Sequence, residues 1–157
     1  MPQNSIVKPI VVATAACGTL DIAWAMILTM WFGGEIPKML RYVASGPFPQ
    51  AMEMGDTGSL LGLLVHFALM AIMATVFVLA AKRIPDLTSA PLKWGVIYGL
   101  ITYVVMNLVV VPLRFGTPVP PSMRAIATQL FAHLFLVGIP MALITAKYLR
   151  TGWSARA

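Results

Sequence analysis

Four apolar stretches of the sequence each carry one strongly polar site, and these side chains are the strongest candidates for chemistry. They are Asp21 in the first stretch, His66 in the second, Asn107 in the third, and His133 with Gln129 one turn earlier in the fourth. A carboxylate beside imidazoles can exchange a proton or hold a cation, and imidazole also binds heme iron and transition metals. A charged group at the centre of a bilayer costs about 2.5 to 3.5 kcal/mol on insertion scales, so such residues usually face a bundle interior and find a partner there.

Helical geometry predicts that these side chains share one depth. With a rise of about 1.5 Å per residue, His66 and His133 lie roughly 11 to 12 Å from the outer ends of their helices. On the same count Asn107 lies roughly 9 Å and Asp21 roughly 17 Å from the outer end. We therefore expect one polar layer of Asp21, His66, Asn107, Gln129 and His133. An ion pair between Asp21 and either histidine, or a hydrogen bond from a protonated Asp21, would offset the cost of burial.

Three interpretations of this layer stay open. In the first, the polar side chains only satisfy one another and fix the register of the helices. In the second, they handle protons or a small cation that arrives from the outer side. The inner halves of the helices then offer a thin exit route, which consists of Thr14, Thr75, Tyr98, Thr102 and Thr145. In the third, His66 and His133 hold heme b between two diagonal helices, or bind a transition metal together with Asp21.

The elements that must position this layer are membrane helices. The chain has 157 residues, of which 59% are hydrophobic and only 10% are charged. A membrane span needs about 20 apolar residues to cross a hydrocarbon core roughly 30 Å thick. Four segments meet that test, and we number them spans one to four: residues 9–32, 59–81, 94–113 and 125–146. The prediction is a single all-α membrane domain over residues 1–157, a four-transmembrane-helix antiparallel bundle.

The connections predict how the spans are joined. After span one, Pro37 opens a segment that places Met39, Leu40 and Val43 on one face, which predicts a short amphipathic helix in the outer membrane interface. The loop between spans two and three is short, so these spans should be antiparallel neighbours. Such a compact arrangement leaves no room for a separate soluble domain.

Small residues and one proline predict details of the packing. Gly58 with Gly62 and Gly95 with Gly99 are four residues apart, a spacing that lets helices approach closely within the chain or against a partner. Pro140 removes one backbone hydrogen bond in span four, which should kink the helix or be absorbed by its neighbours.

The basic residues indicate topology. The net charge is +6, and seven of the eleven lysines and arginines fall on the side of the two chain termini: Lys8, Lys82, Arg83, Lys93, Lys147, Arg150 and Arg156. The other side holds Lys38, Arg41, Arg114 and Arg124. This asymmetry predicts that the N-terminus and the C-terminus are both cytoplasmic. Because the charges are divided between two membrane faces, they do not form the continuous patch that nucleic acid requires, and lipid is the expected partner.

The remaining residue types indicate little further chemistry. Eleven methionines suggest copper transport, but they are scattered and only Met26 with Met30 forms a Met-x-x-x-Met pair, so core filling explains them better. Cys17 is the single cysteine, which excludes an intramolecular disulfide. The sequence has no Gly-rich phosphate loop, no paired carboxylates and no nucleophile with an adjacent base, so it does not predict an enzyme.

Short motifs spread along the chain resemble the YagU-like family of uncharacterised bacterial inner-membrane proteins. They are GGEIP at 33–37, VHF at 65–67, Pro85, KWGVIYG at 93–99, VVVPL at 109–113, PVPP at 118–121 and AHLF at 132–135. The resemblance covers most of residues 18–138 and implies a multi-pass protein of the bacterial inner membrane with no established activity. His66 and His133 map onto histidines of that family, and Asn107 maps onto a polar position, whereas Asp21 has no assigned match.

Together these observations predict a small accessory or sensory membrane module, as a subunit of a larger membrane complex or as a homo-oligomer. Its polar layer would respond to protons or bind a small cation. The alternative is an electron-transfer subunit that holds heme b between His66 and His133.

Overall fold

The computed structural model describes residues 6–154, with side chains up to residue 150, and in this part of the chain every regular element is a helix. Four helices are long and apolar enough to cross a membrane: span one Val7–Trp31, span two Gly55–Arg83, span three Pro91–Phe115 and span four Met123–Arg150. The predicted all-α four-helix bundle is therefore confirmed, and the chain is a membrane protein.

Most span ends extend beyond the predicted bounds, because helix continues through polar residues at the interfaces. Arg156, which we assigned to the cytoplasmic side, lies outside the described residues.

The bundle is arranged with span one between spans two and four, and with span four also against span three. Spans two and three run antiparallel, as expected, but their backbones rarely come close. Side chains bridge the space between them: Tyr98 Oη donates to the Met73 carbonyl at 2.8 Å, and the Tyr98 ring lies 4.8 Å from that of Phe77. An apolar cavity of about 170 Å³ remains beside these two rings. The loop that joins them forms a short helix, Asp86–Ser89, which packs mainly against span four.

Spans three and four each contain a π-helical segment in front of a proline. The segment Val104–Val110 precedes Pro112, and the segment Ala132–Gly138 precedes Pro140. Proline has no N–H and its ring crowds the preceding turn, and a wider π turn is one way to satisfy the backbone groups that it frees. Span four therefore continues through Pro140, with the disturbance taken up by the preceding turns.

Three glycines bring spans three and four into backbone contact. A Cβ atom added to Gly95 would lie 2.7 Å from the Cα of Ile139, and one added to Gly99 would overlap the carbonyl oxygen of His133. On the facing helix, a Cβ added to Gly138 would lie 2.8 Å from the Cα of Gly99. The Gly95 and Gly99 pair thus serves a contact within the chain, and it holds the backbone of His133 directly against span three.

The amphipathic helix, Ile36–Ala44, crosses the start of span two with Leu40 and Ala44 buried beneath it. Gly62 makes this crossing possible, because an added Cβ would overlap the carbonyl oxygen of Leu40, and Gly58 allows the Ala51 carbonyl to approach in the same way. We call this the amphipathic end of the bundle. The opposite end, where span one begins and span four finishes, is the terminal end.

Arg114, near the end of span three, holds the amphipathic helix through two hydrogen bonds. Its Nε donates to the Gly46 carbonyl at 2.6 Å and its Nη2 donates to the Ser45 carbonyl at 2.8 Å. Beside it, the rings of Tyr42 and Phe115 stack with centroids 4.4 Å apart. Partial burial raises the pKa of Tyr42 above its ordinary value, so the stacked phenol stays neutral at physiological pH.

Substituting Arg114 with lysine should loosen the amphipathic helix. An ammonium group cannot donate two bonds in the fixed fork geometry of a guanidinium, so one of the two carbonyls loses its partner. We expect backbone amides of residues 36–46 to exchange with deuterium several-fold faster, measured by hydrogen exchange and mass spectrometry in detergent. The matched control is Arg83→Lys at the terminal end, which should leave those amides unchanged. Equal exchange in both variants would show that Arg114 does not hold this helix.

Candidate functional site

A cavity of about 220 Å³ lies beneath the amphipathic helix, and all five predicted polar side chains line it. Span one supplies Asp21, span two His66, span three Asn107, and span four Gln129 and His133. Met39 and Val43 of the amphipathic helix also border it. Side chains far apart in the sequence thus share one enclosed space, which we call the polar cavity.

Asp21 and His66 form an ionisable pair in the polar cavity. The Oδ2 atom of Asp21 lies 4.0 Å from Nδ1 of His66. On the other side of the ring, His66 Nε2 lies 2.9 Å from the carbonyl oxygen of Gly18. A carbonyl only accepts, so this bond places a proton on Nε2 and leaves Nδ1 to face the carboxyl group. One further proton shared by the pair gives either a neutral acid beside a neutral imidazole or a carboxylate beside an imidazolium, and both states carry no net charge.

His133 is oriented in a similar way. Its Nδ1 lies 2.8 Å from the carbonyl oxygen of Gln129, one turn earlier, so Nδ1 donates and Nε2 is left without a hydrogen-bond partner among the described residues. The ring is only 8% exposed and packs edge-on to Tyr103 with centroids 5.9 Å apart. Asp21 shares the polar cavity with both His133 and His66, and its 4.0 Å contact is with His66.

Asn107 and Gln129 are the two amide side chains that line the polar cavity. Asn107 Nδ2 donates a long hydrogen bond, 3.4 Å, to the Tyr103 carbonyl within span three. Asn107 and His133 both lie in the π-helical segments. No residue pattern marks these segments directly, and the two prolines that follow them, Pro112 and Pro140, are the signal from which they could have been inferred.

A second cavity, of about 420 Å³, lies between spans one and four at the amphipathic end, and we call it the vestibule. Polar side chains line much of it: Thr29, Ser122, Arg124, Thr128 and Gln129. The vestibule and the polar cavity share Ala25, Met39 and Gln129. The vestibule and the polar cavity are therefore adjacent at these three residues.

Toward the terminal end the bundle is closely packed. Buried side chains fill it below the polar cavity: Ala13, Cys17, Ala74, Phe77, Met141 and Ala142. The Cys17 thiol contacts the Val137 carbonyl at 3.5 Å across spans one and four. This packing closes the polar cavity on the side of the chain termini.

The hydroxyl groups expected to offer an inner exit do not connect into a route. Thr75 and Thr102 donate to carbonyls of their own helices, at 2.7 Å and 3.0 Å, and Tyr98 donates to the Met73 carbonyl. Thr14 and Thr145 have buried hydroxyl groups for which the described residues provide no hydrogen-bond partner. Each hydroxyl is thus engaged locally or isolated, and the described residues provide no continuous polar path to the terminal end.

Heme b does not fit the polar cavity. Its volume of about 220 Å³ is below the roughly 300 to 1,000 Å³ that sites for small molecules usually occupy. In addition, Nε2 of His66 is engaged by the Gly18 carbonyl and Nδ1 is turned toward Asp21. With the small volume, these contacts give the predicted bis-histidine heme no support in the structure.

A metal site made of Asp21, His66 and His133 alone is not formed either. Among the residues that the structure describes, no three side chains of His, Cys, Asp or Glu are grouped closely enough to hold a metal ion. Among the described residues, the 4.0 Å pair of Asp21 and His66 thus has no third side chain of these types grouped with it, and the two-histidine, one-carboxylate ligand set stays a prediction.

No family model, curated protein or solved structure matches this chain.

Proposed function

We propose that this protein is a small accessory or sensory membrane module that binds a proton or a small cation in the polar cavity. One observation carries the proposal: the carboxyl group of Asp21 shares a cavity inside a membrane bundle with two imidazoles and lies 4.0 Å from one of them. Each imidazole is held by a backbone carbonyl through one ring nitrogen, so its other nitrogen remains for exchange with a ligand or proton.

The charge of the polar cavity favours a positively charged ligand. Asp21 lines it, whereas no lysine or arginine is among its lining residues. An unpaired carboxylate is expensive at this depth, and a proton or a bound cation removes that cost. The cavity therefore favours occupancy by positive charge over occupancy by an anion.

The packing at the terminal end favours sensing over conduction. A pathway needs two openings, and the polar cavity is closed toward the termini by Cys17, Phe77 and Met141. The amphipathic helix covers the polar cavity, and Arg114 of span three holds this helix through two hydrogen bonds. A change of charge below Met39 and Val43 can thus be transmitted to a helix at the membrane surface, where a partner could detect it.

The proposal also covers the membrane in which the protein lies and the subunits with which it assembles. The motif resemblance implies a bacterial inner-membrane protein, and the basic residues favour cytoplasmic positions for both termini, so that the vestibule opens on the opposite side. The motif resemblance supports a distant relationship to YagU-like proteins. A larger membrane complex or a homo-oligomer is the expected assembly, and purification in mild detergent tests it by whether the chain elutes with other subunits or alone.

Histidine NMR tests the proton-binding proposal, because the chain contains only two histidines. With ¹⁵N-labelled histidine in lipid nanodiscs at a fixed pH, ring nitrogen signals report which nitrogens carry protons. We expect Asp21→Asn to change the ring signals of His66, because the carboxyl group that faces its Nδ1 is lost, and also those of His133, which shares the cavity. The control Asp86→Asn, in the loop between spans two and three, should alter neither. Ring signals of His66 that Asp21→Asn leaves unchanged would refute the proposal.

A further inference from the structure

Four methionines border the polar cavity, although methionine is scattered along the sequence. They are Met39 from the amphipathic helix, Met70 and Met73 from span two, and Met106 from span three. The sequence contains eleven methionines in all, so more than a third of them lie around one cavity that also contains both histidines. The fold thus gathers thioether groups that the linear sequence keeps apart.

We propose that the polar cavity is a binding site for monovalent copper, Cu(I), with thioether sulfurs and imidazole nitrogens as its ligands. This inference rests on the proposed function, because it names the cation that the polar cavity binds. Three features of the structure support it: the orientation of the histidines, the types of ligand present, and the charge of the lining.

Both histidines have the orientation that metal-binding histidines require. A ligating histidine almost always donates its second ring N–H to a carbonyl or a carboxylate, which fixes the ring and the nitrogen that binds. His133 does so through Nδ1 to the Gln129 carbonyl, and His66 does so through Nε2 to the Gly18 carbonyl. Each ring therefore presents one nitrogen that the backbone does not use.

The available ligands favour a soft metal. The described residues lack a group of three His, Cys, Asp or Glu side chains, so a metal held only by such ligands is disfavoured. Thioethers must supply the remaining ligands, and soft sulfur ligands select Cu(I) over divalent ions that prefer oxygen. The presence of Met39, Met73 and Met106 in the same cavity lining as the two imidazoles thus favours a soft ion.

The charge of the lining favours a monovalent ion. One Cu(I) opposite the Asp21 carboxylate leaves the site neutral, whereas a divalent ion would leave a net positive charge inside the membrane. No lysine or arginine lines the cavity to repel the ion. Met39 borders both the vestibule and the polar cavity, so its thioether lies where an arriving ion would pass.

Core filling does not explain these methionines fully. A side chain that fills a core leaves no space beside it, yet about 220 Å³ remains open next to these four. Met70 is buried and packs in the hydrophobic core, as a filling residue would. Met39, Met73 and Met106 are only partly buried, and they border the open space.

Competition for copper tests the inference. The full-length protein in detergent is titrated without oxygen against bicinchoninate, with Cu(I) produced from a copper(II) salt by ascorbate. We expect one Cu(I) per chain, and sulfur ligands in the copper X-ray absorption spectrum. The triple variant Met39→Leu, Met73→Leu, Met106→Leu conserves side-chain volume and should weaken binding about tenfold or more, the scale on which metal sites respond to loss of supporting groups.

The matched control removes three other thioethers, Met26→Leu, Met30→Leu and Met123→Leu, which do not line the polar cavity. It should bind Cu(I) as tightly as the parent. Equal affinity of the two triple variants, or no Cu(I) bound by the parent, would overturn the copper assignment. The histidine NMR experiment is independent of copper: if Asp21→Asn changes the ring signals of His66 but Cu(I) does not bind, the copper inference alone fails, and if neither is observed the proposed function fails as well.

Discussion

Gly99→Leu should separate span three from span four and cause a large loss of stability. An added Cβ would overlap the carbonyl oxygen of His133 and lie 3.0 Å from the Cα of Leu134, so the new side chain meets backbone that cannot rotate away. Overpacking typically costs about 1 to 3 kcal/mol, and backbone contact places this variant at about 3 kcal/mol or more. For a chain of this size that corresponds to a melting temperature lower by about 6 to 12 °C.

Thermal unfolding in detergent, followed by circular dichroism, measures this effect. The control is Leu100→Phe at the neighbouring position, which adds bulk on an exposed face and should change the melting temperature little. Cys17 gives a second readout, because this buried thiol should react with a maleimide faster in Gly99→Leu than in the parent. Equal melting temperatures for Gly99→Leu and Leu100→Phe would refute the close contact of spans three and four.

Gly62→Leu should displace the amphipathic helix and open the polar cavity from above. The added side chain would occupy the position of the Leu40 carbonyl, so the helix must lift from span two and take Met39 and Val43 with it. We expect hydrogen exchange of residues 36–44 to rise to nearly that of an exposed helix, since the contacts that protect it are lost. Cys17 should stay unreactive, because the packing below the cavity does not depend on this helix.

The control for this variant is Ala68→Leu, on an exposed face of the same span. It should leave the exchange of the amphipathic helix as it is in the parent. Protected amides in residues 36–44 of Gly62→Leu would show that Gly62 does not support the crossing. Rapid labelling of Cys17 in the same variant would show instead that the whole bundle had loosened, and would contradict the separate packing of the two regions.

Hydropathy and helical rise were sufficient to predict the bundle and the residues that share its cavity. Only helices can satisfy the backbone in a bilayer, so length and apolarity identify spans directly. Because the rise per residue is fixed, sequence position within a span also gives depth, and this is why Asp21, His66 and His133 could be placed together from sequence. The amphipathic helix was predicted from the same kind of spacing.

Other features depend on rotation about the helix axis, which the sequence constrains weakly. The π-helical segments before Pro112 and Pro140 change the direction of Asn107 and His133, and an α-helical count does not include them. The grouping of Met39, Met73 and Met106 also depends on how the amphipathic helix, span two and span three are each rotated about their own axes. Spans two and three stay apart because Tyr98 and Phe77 occupy the space between them, which loop length alone does not reveal.

The most direct test concerns a polar cavity that opens at one end only. In a Cys17→Ser background, Gln129→Cys places a thiol where vestibule and polar cavity meet, and Thr145→Cys places one in the packed terminal half. With a membrane-impermeant thiol reagent applied to both faces of the protein in nanodiscs, we expect Gln129→Cys to be labelled and Thr145→Cys to remain unlabelled. Labelling of Thr145→Cys at a comparable rate would reveal a water path through the bundle and would contradict a one-sided site.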